Sequence, residues 1–274
     1  MNKIYQVYQV SDSTGETLDR IFLALKAHFS NFEYKTIHFS FTRTKNQMDK
    51  IISKCKEEKN VIILYTIVNN NLAKYLASKC KINKVPCFEV LGNLISNFSK
   101  LLNQEASHKP SGQHALDEEY YKRIEAVQYT MSHDDGKIIS DLEKSDIILL
   151  GVSRTSKTPT SIYLANRGYK TANIPIIPNK KLPEEINNLP KKNCIVGLVC
   201  DSSRLHDVRR NRVSSMKKDR AVDYVDEKKI ITELENSKIL FKKNNWPIID
   251  VTRKSVEETA ASVIKIFDIL NSKF

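Results

Sequence analysis

The chain reads as an α/β protein made of two parallel-sheet domains, the second of them a P-loop kinase-like domain. Three observations lead there. Between residues 4 and 102, short apolar runs with strand character alternate with stripes of helical period, the signature of repeated βα units. A polar stretch interrupts this pattern, and the alternation then resumes to the C-terminus. At residues 145–159 an apolar strand empties into a small-residue loop that closes on Lys157-Thr158 and opens a helix at Pro159.

Ile4 to Val10 predicts the first strand, and Leu18, Ile21, Phe22 and Leu25 form the stripe of the helix after it. Ile37, Phe39 and Phe41 alternate as in a second strand, and Met48, Ile51, Ile52 and Cys55 return to helical spacing. Val61 to Val68 is long enough for a strand buried on both faces; Leu72 to Leu76 predicts a helix, Pro86 to Leu91 a strand and Ile95 to Leu102 a helix. This first domain is expected over residues 1–105.

Asn103 to Gln113 is polar and carries Pro and Gly, as a linker does. Tyr120, Ile124, Val127 and Met131 share one helical face, and His133-Asp-Asp-Gly136 ends that helix in a turn, so 106–140 reads as a linker with a connecting helix. The nucleotide-binding domain is expected over 141–274. Its strands are Ile147 to Leu150, Ala172 to Ile176, Ile195 to Cys200 and Pro247 to Val251. Helices follow at Pro159, after Asp201 and at Glu227 to Phe241. Ser255-Val-Glu-Glu258 caps a last helix whose Ala260, Val263, Ile264 and Phe267 face a core.

The composition narrows the classes. With 274 residues, 41% hydrophobic and 28% charged, the chain can bury a sizeable core and is not of the disordered kind. Its longest apolar run is too short to cross a bilayer, and the N-terminus runs straight into a strand pattern without a signal-peptide apolar segment. Five cysteines with no C-x-x-C pair read as reduced thiols, so a cytoplasmic setting away from membranes is expected. The net charge of +12 comes mostly from lysines scattered over helix faces. Without interleaved aromatic and basic surface residues, the chain is not expected to bind nucleic acid.

The loop carries the chemistry. Gly151, Val152, Ser153, Arg154, Thr155 and Ser156 lead into Lys157 and Thr158, with Ser156 where the usual pattern has its second Gly. Backbone N–H groups of such a loop and the following helix N-terminus curl around phosphate oxygens. Lys157 supplies a point charge, and the Thr158 hydroxyl is placed for Mg²⁺. Ser tolerates positive φ poorly, so either the loop deviates or it carries strain.

Other residues surround this motif. Asp134 and Asp135 lie just upstream and are candidates to accept a proton from an attacking hydroxyl. Asp201, at the end of a strand, is the candidate acid for Mg²⁺, with Asp250 a second. Arg204, Arg209, Arg210, Arg212 and Arg220 form either a lid over phosphates or a solvated basic helix. Asp12-Ser-Thr-Gly-Glu-Thr17 lies close to a flavin phosphate loop, but Asp12 and Glu16 would repel a phosphate there, and a well-capped turn serves equally.

With these residues in place, nearly the whole chain resembles the pyruvate, phosphate dikinase and phosphoenolpyruvate synthase regulatory proteins. The resemblance rests on Ser11-Asp-Ser-Thr-Gly-Glu-Thr17, Gly112-Gln-His-Ala-Leu-Asp117 and His133-Asp-Asp-Gly136. It rests above all on Gly151-Val-Ser-Arg-Thr-Ser-Lys-Thr-Pro-Thr-Ser-Ile-Tyr-Leu-Ala165 with Lys170-Thr-Ala-Asn-Ile-Pro175. It implies a bifunctional enzyme that uses ADP to phosphorylate a threonine beside the partner's catalytic histidine, inactivating the partner. In the reverse reaction inorganic phosphate attacks the phosphothreonine and releases pyrophosphate. On this reading Gly151 to Thr158 hold the ADP diphosphate, Lys157 neutralises the transferred phosphoryl group, Arg154 steadies its oxygens and Thr158 holds Mg²⁺. Asp135, or its neighbour Asp134, takes the threonine's proton. The expected partner is the dikinase, with the synthase as its sister; a homodimer is compatible, and the first domain would serve docking. A small-molecule P-loop kinase using ATP is the rival reading.

Overall fold

The computed structural model describes residues 3–110, 118–190, 193–213 and 224–272. The Gly112–Asp117 motif and Arg220 lie outside them. The chain divides into two compact units, residues 1–115 and 116–274.

In the first unit, β1 (Tyr5–Ser11), β2 (Tyr34–Phe39), β3 (Val61–Thr66) and β4 (Cys87–Glu89) form an all-parallel sheet in the order β2-β1-β3-β4. Helices α1 (Glu16–Lys26), α2 (Lys45–Glu57), α3 (Asn70–Ile82) and α4 (Gly92–Leu102) follow the four strands in turn. Because alternate strand residues face opposite ways, Tyr8 and Val10 pack with Met48, Ile52 and Leu76 of α2 and α3, while Val7 packs with Leu18 and Phe22 of α1. The second strand ends at Phe39. Phe41, expected to continue it, stands in a turn at φ +54° with its ring exposed.

The second unit repeats this layout with β5 (Ile147–Gly151), β6 (Thr171–Pro175), β7 (Cys194–Val199) and β8 (Ile248–Asp250), all parallel in the order β6-β5-β7-β8. Ile147, Ile148, Leu149 and Leu150 are fully buried, as a central strand covered on both faces requires. Truncating one of them, Leu149→Ala for instance, would cost about 2–5 kcal/mol through lost transfer energy and the cavity left behind. The helices are α5 (Glu118–Ser132), α6 (Lys157–Ala165), α7 (Ser202–Val213), α8 (Glu227–Lys243) and α9 (Val256–Asn271). The capping box at Ser255 forms as expected, and Ala260 and Val263 reach the core.

Helix α5 departs from its sequence reading in two ways. It belongs to the second unit instead of an intermediate connection, packing on α6 and β6. It also turns a different face inward: Ala126 and Thr130 are buried, while Ile124 and Met131 are exposed. The physical reason is polar. The Thr130 hydroxyl accepts the N–H of Thr171 at the start of β6 (3.0 Å), fixing the helix rotation by a hydrogen bond that apolar periodicity does not encode.

Candidate functional site

The loop after β5 sits where the chain crosses from β5 to β6 on one side and β7 lies on the other, the crevice at which open parallel sheets bind ligands. Gly151 is required by crowding: a Cβ there would stand 2.8 Å from the carbonyl oxygen of Leu198 and 2.5 Å from the Thr155 hydroxyl. The loop then turns through two left-handed residues, Arg154 (φ +78°) and Ser156 (φ +59°). Ser156 therefore adopts the conformation a glycine would take and carries the associated strain, about 1–2 kcal/mol. Its side chain does not cap α6, so backbone donors at the helix start face the loop cavity. The Thr155 hydroxyl donates to the Val152 carbonyl (3.0 Å) and closes the loop internally.

Lys157, the first residue of α6, is 5% exposed, and its Nζ donates to the same Val152 carbonyl (3.1 Å). Burial pushes its pKa down to about 8; Asp135 and Asp134 oppose that shift, while Arg209 and Arg154 add to it. Next to it, the Thr158 hydroxyl donates to Asp134 Oδ1 (2.9 Å). Asn173 of β6 completes a triangle, its Nδ2 donating to Asp134 Oδ1 (2.5 Å) and Thr158 Oγ1 (3.0 Å). Asn173 is fully buried, and its Oδ1 has no protein partner among the described residues.

The turn that carries the two aspartates is pinned at His133. This ring is buried, stacks on Tyr129 at 3.8 Å, and places Nε2 2.7 Å from Asp141 Oδ1 and Nδ1 2.7 Å from the Tyr129 carbonyl. The hydrogen bond to His133 holds the Asp141 carboxyl below the usual carboxylate range. The His133 carbonyl in turn accepts the Asn173 N–H (3.1 Å), so the turn is stitched to β6. Asp135 follows in a left-handed conformation (φ +55°) with its side chain exposed.

Of the arginine cluster, Arg204, Arg210 and Arg212 are exposed, whereas Arg209 is 1% exposed. It pairs with Glu233 (2.7 Å), donates to the carbonyls of Ser153 (3.4 Å) and Tyr224 (3.3 Å), and lies over the Tyr224 ring. The Ser153 and Tyr224 hydroxyls meet at 2.9 Å, so Arg209 and Tyr224 together brace the loop from behind. Asp201 stands exposed at the end of β7, its N–H donated to the Thr252 hydroxyl. The Asp250 carboxylate accepts the Thr252 hydroxyl and N–H, which lowers its pKa. In the first unit, Asp12 turns inward to accept the Val68 N–H (2.7 Å), tying the end of β1 to the segment after β3.

The sequence reading missed Asn173 as a site residue, and one signal was available. A carboxamide inside a five-residue strand that is otherwise buried has to satisfy its polar atoms, and here it does so at the loop.

The family model described as kinase/pyrophosphorylase matches residues 7–264. A protein of Pelagibacter ubique (strain HTCC1062), named as a pyruvate, phosphate dikinase regulatory protein, is 60% identical over 269 residues, covering 98% of both chains. Proteins named in the same way from Sphingopyxis alaskensis and Ehrlichia chaffeensis are 44% and 41% identical over 262 residues, with 96% of each chain covered. A matched loop, a matched length and relatives at this identity lead to one conclusion: the chain belongs to the kinase/pyrophosphorylase family.

Proposed function

We propose that the protein phosphorylates a threonine of pyruvate, phosphate dikinase with ADP as donor, and removes that phosphate with inorganic phosphate as acceptor. The observation that carries this reading is the juxtaposition of buried Lys157 with an Asp134 already bonded to Thr158. The cationic loop cradles a diphosphate, and the neighbouring carboxylates suit a hydroxyl nucleophile. The names of the relatives supply the partner. The reduced thiols, all five free, suit a cytoplasmic reaction.

In the forward direction the bond between the β-phosphorus of ADP and the bridging oxygen breaks, AMP leaves, and the threonine oxygen takes the phosphoryl group. Asp135, exposed on its turn, accepts the hydroxyl proton. Lys157 and Arg154 offset the charge on the phosphoryl oxygens, and the loop amides hold the diphosphate in line; for phosphoryl transfer, such positioning and charge neutralisation supply most of the catalysis. In reverse, a phosphate oxygen attacks the phosphothreonine, the phosphorus–threonine oxygen bond breaks, pyrophosphate forms in the same cradle, and the threonine hydroxyl regains its proton.

The donor set fits Mg²⁺: Thr158 offers a neutral oxygen and Asp134 a carboxylate beside it, both hard ligands. Bound there, the ion would supply charge neutralisation between the phosphates. Asp134 takes this role in preference to Asp201 because it already orients the Thr158 hydroxyl, with Asn173 holding both in register.

The deciding experiment uses ADP labelled on the β-phosphate, with ATP in parallel, and dikinase charged on its catalytic histidine. Label is expected to pass from ADP to a threonine and to leave as pyrophosphate when phosphate is added. Transfer to the synthase alone would reassign the partner. Phosphorylation of small hydroxyl substrates from ATP, with both proteins untouched, would replace the reading by that of a metabolite kinase.

A further inference from the structure

Helix α4 buries none of its eleven residues, although five of them are leucine, isoleucine or phenylalanine. Ile95 is half-buried on its own unit, yet Leu94, Phe98, Leu101 and Leu102, spaced i, i+4, i+7 and i+8, form a stripe that is 55%, 59%, 79% and 58% exposed. Phe88, on the edge strand that leads into the helix, is 56% exposed and lies on the same face of the sheet as Leu64 and Val90, with Leu64 its partner in register. The exposed parts of these five side chains amount to about 600 Å², at the top of what a typical monomer shows and most of the ~800 Å² per partner in a standard interface.

From this we infer that α4 and Phe88 form the interface through which two copies of the chain associate as a symmetric dimer. Charge selects a second copy over a different partner. The chain carries a net charge of +12, so two copies repel across most of their surfaces. Lys100 is the sole charged residue of α4, and the stripe is flanked by Asn93, Ser96, Asn97 and Ser99. This is a neutral window in a basic surface. A surface meant for an acidic partner would display cations, whereas a surface meant for itself has to exclude them. A two-fold contact places the same apolar stripe on both sides, as an isologous interface demands.

The test is the mass of the full chain by sedimentation equilibrium over a wide concentration range. The expected species is twice the 31.5 kDa chain. Phe98→Glu combined with Leu101→Glu is expected to weaken association by at least roughly 100-fold, as loss of central anchors does, with an unchanged far-UV spectrum because both sites are exposed. Leu101→Gln alone gives a milder loss should the double variant misfold. Leu23→Glu, an exposed leucine on α1, is the control and should leave the mass unchanged. A monomeric wild type, or a dimer that persists in a folded double variant, overturns the inference. A monomer whose double variant no longer acts on the dikinase also overturns it, and gives the face to the protein substrate.

Discussion

Lys157 is the residue whose chemistry is most exposed to test. With a pKa of about 8 in the free protein, it is charged below that pH and loses its proton above it. Phosphate oxygens placed beside it favour the ammonium, so binding above pH 8 must take up a proton. ADP affinity is therefore expected to fall about tenfold per pH unit above that point. Calorimetry in buffers of different ionisation enthalpy would detect proton uptake at roughly pH 9 and little at neutral pH. Lys157→Arg should abolish the uptake because guanidinium stays charged, and Lys157→Ala should abolish both reactions. Asp135 offers a cleaner separation than most candidate bases. Asn tolerates its left-handed backbone, so Asp135→Asn removes the base without straining the turn. The kinase direction should suffer more than the phosphorolytic direction, and equal losses would remove Asp135 from that role. For Asn173→Ala a roughly 10- to 100-fold loss in both directions is expected, the usual cost of freeing a group that orients a metal ligand.

At the scale of elements, the β5–loop–α6 unit and β7 set limits on what the sheet accepts. Ser156→Gly relieves the left-handed strain but adds glycine's unfolded-state entropy, so a gain of about 0.5 kcal/mol is expected in urea unfolding. ADP affinity should change little, since serine already adopts the required conformation. Gly197→Ala has the opposite sign: its Cβ would lie 2.4 Å from the ring of fully buried Phe241, a clash worth about 1–3 kcal/mol of destabilisation in the same assay. These elements also separate what the sequence could reveal from what it could not. The loop was legible because strand, turn and helix start lie within fifteen consecutive residues, each with its own local signal. The Asp134–Thr158–Asn173 triangle was not, because its members come from three elements and only the fold makes them neighbours. Helix α5 failed for a related reason: its inward face is chosen by the Thr130–Thr171 hydrogen bond, against an apolar stripe that points elsewhere.

For the whole molecule, the two sheets share one strand order, and each has its own core. A ligand of the loop should accordingly act on one unit in particular. ADP at about 100 times its Kd should add about 2.7 kcal/mol to the unit that binds it. Hydrogen exchange would register this as added protection centred on residues 147–165. Both sheets also draw all four strands from one uninterrupted stretch of chain. On the ribosome, β4 emerges roughly 10 to 30 s before β8 at ordinary elongation rates, long compared with the folding time of a small parallel domain. The first sheet and the bare stripe of α4 are thus complete while the nucleotide loop's own sheet still lacks its last strand. Neighbouring nascent chains on one message meet with that stripe already formed, before either is able to transfer a phosphate.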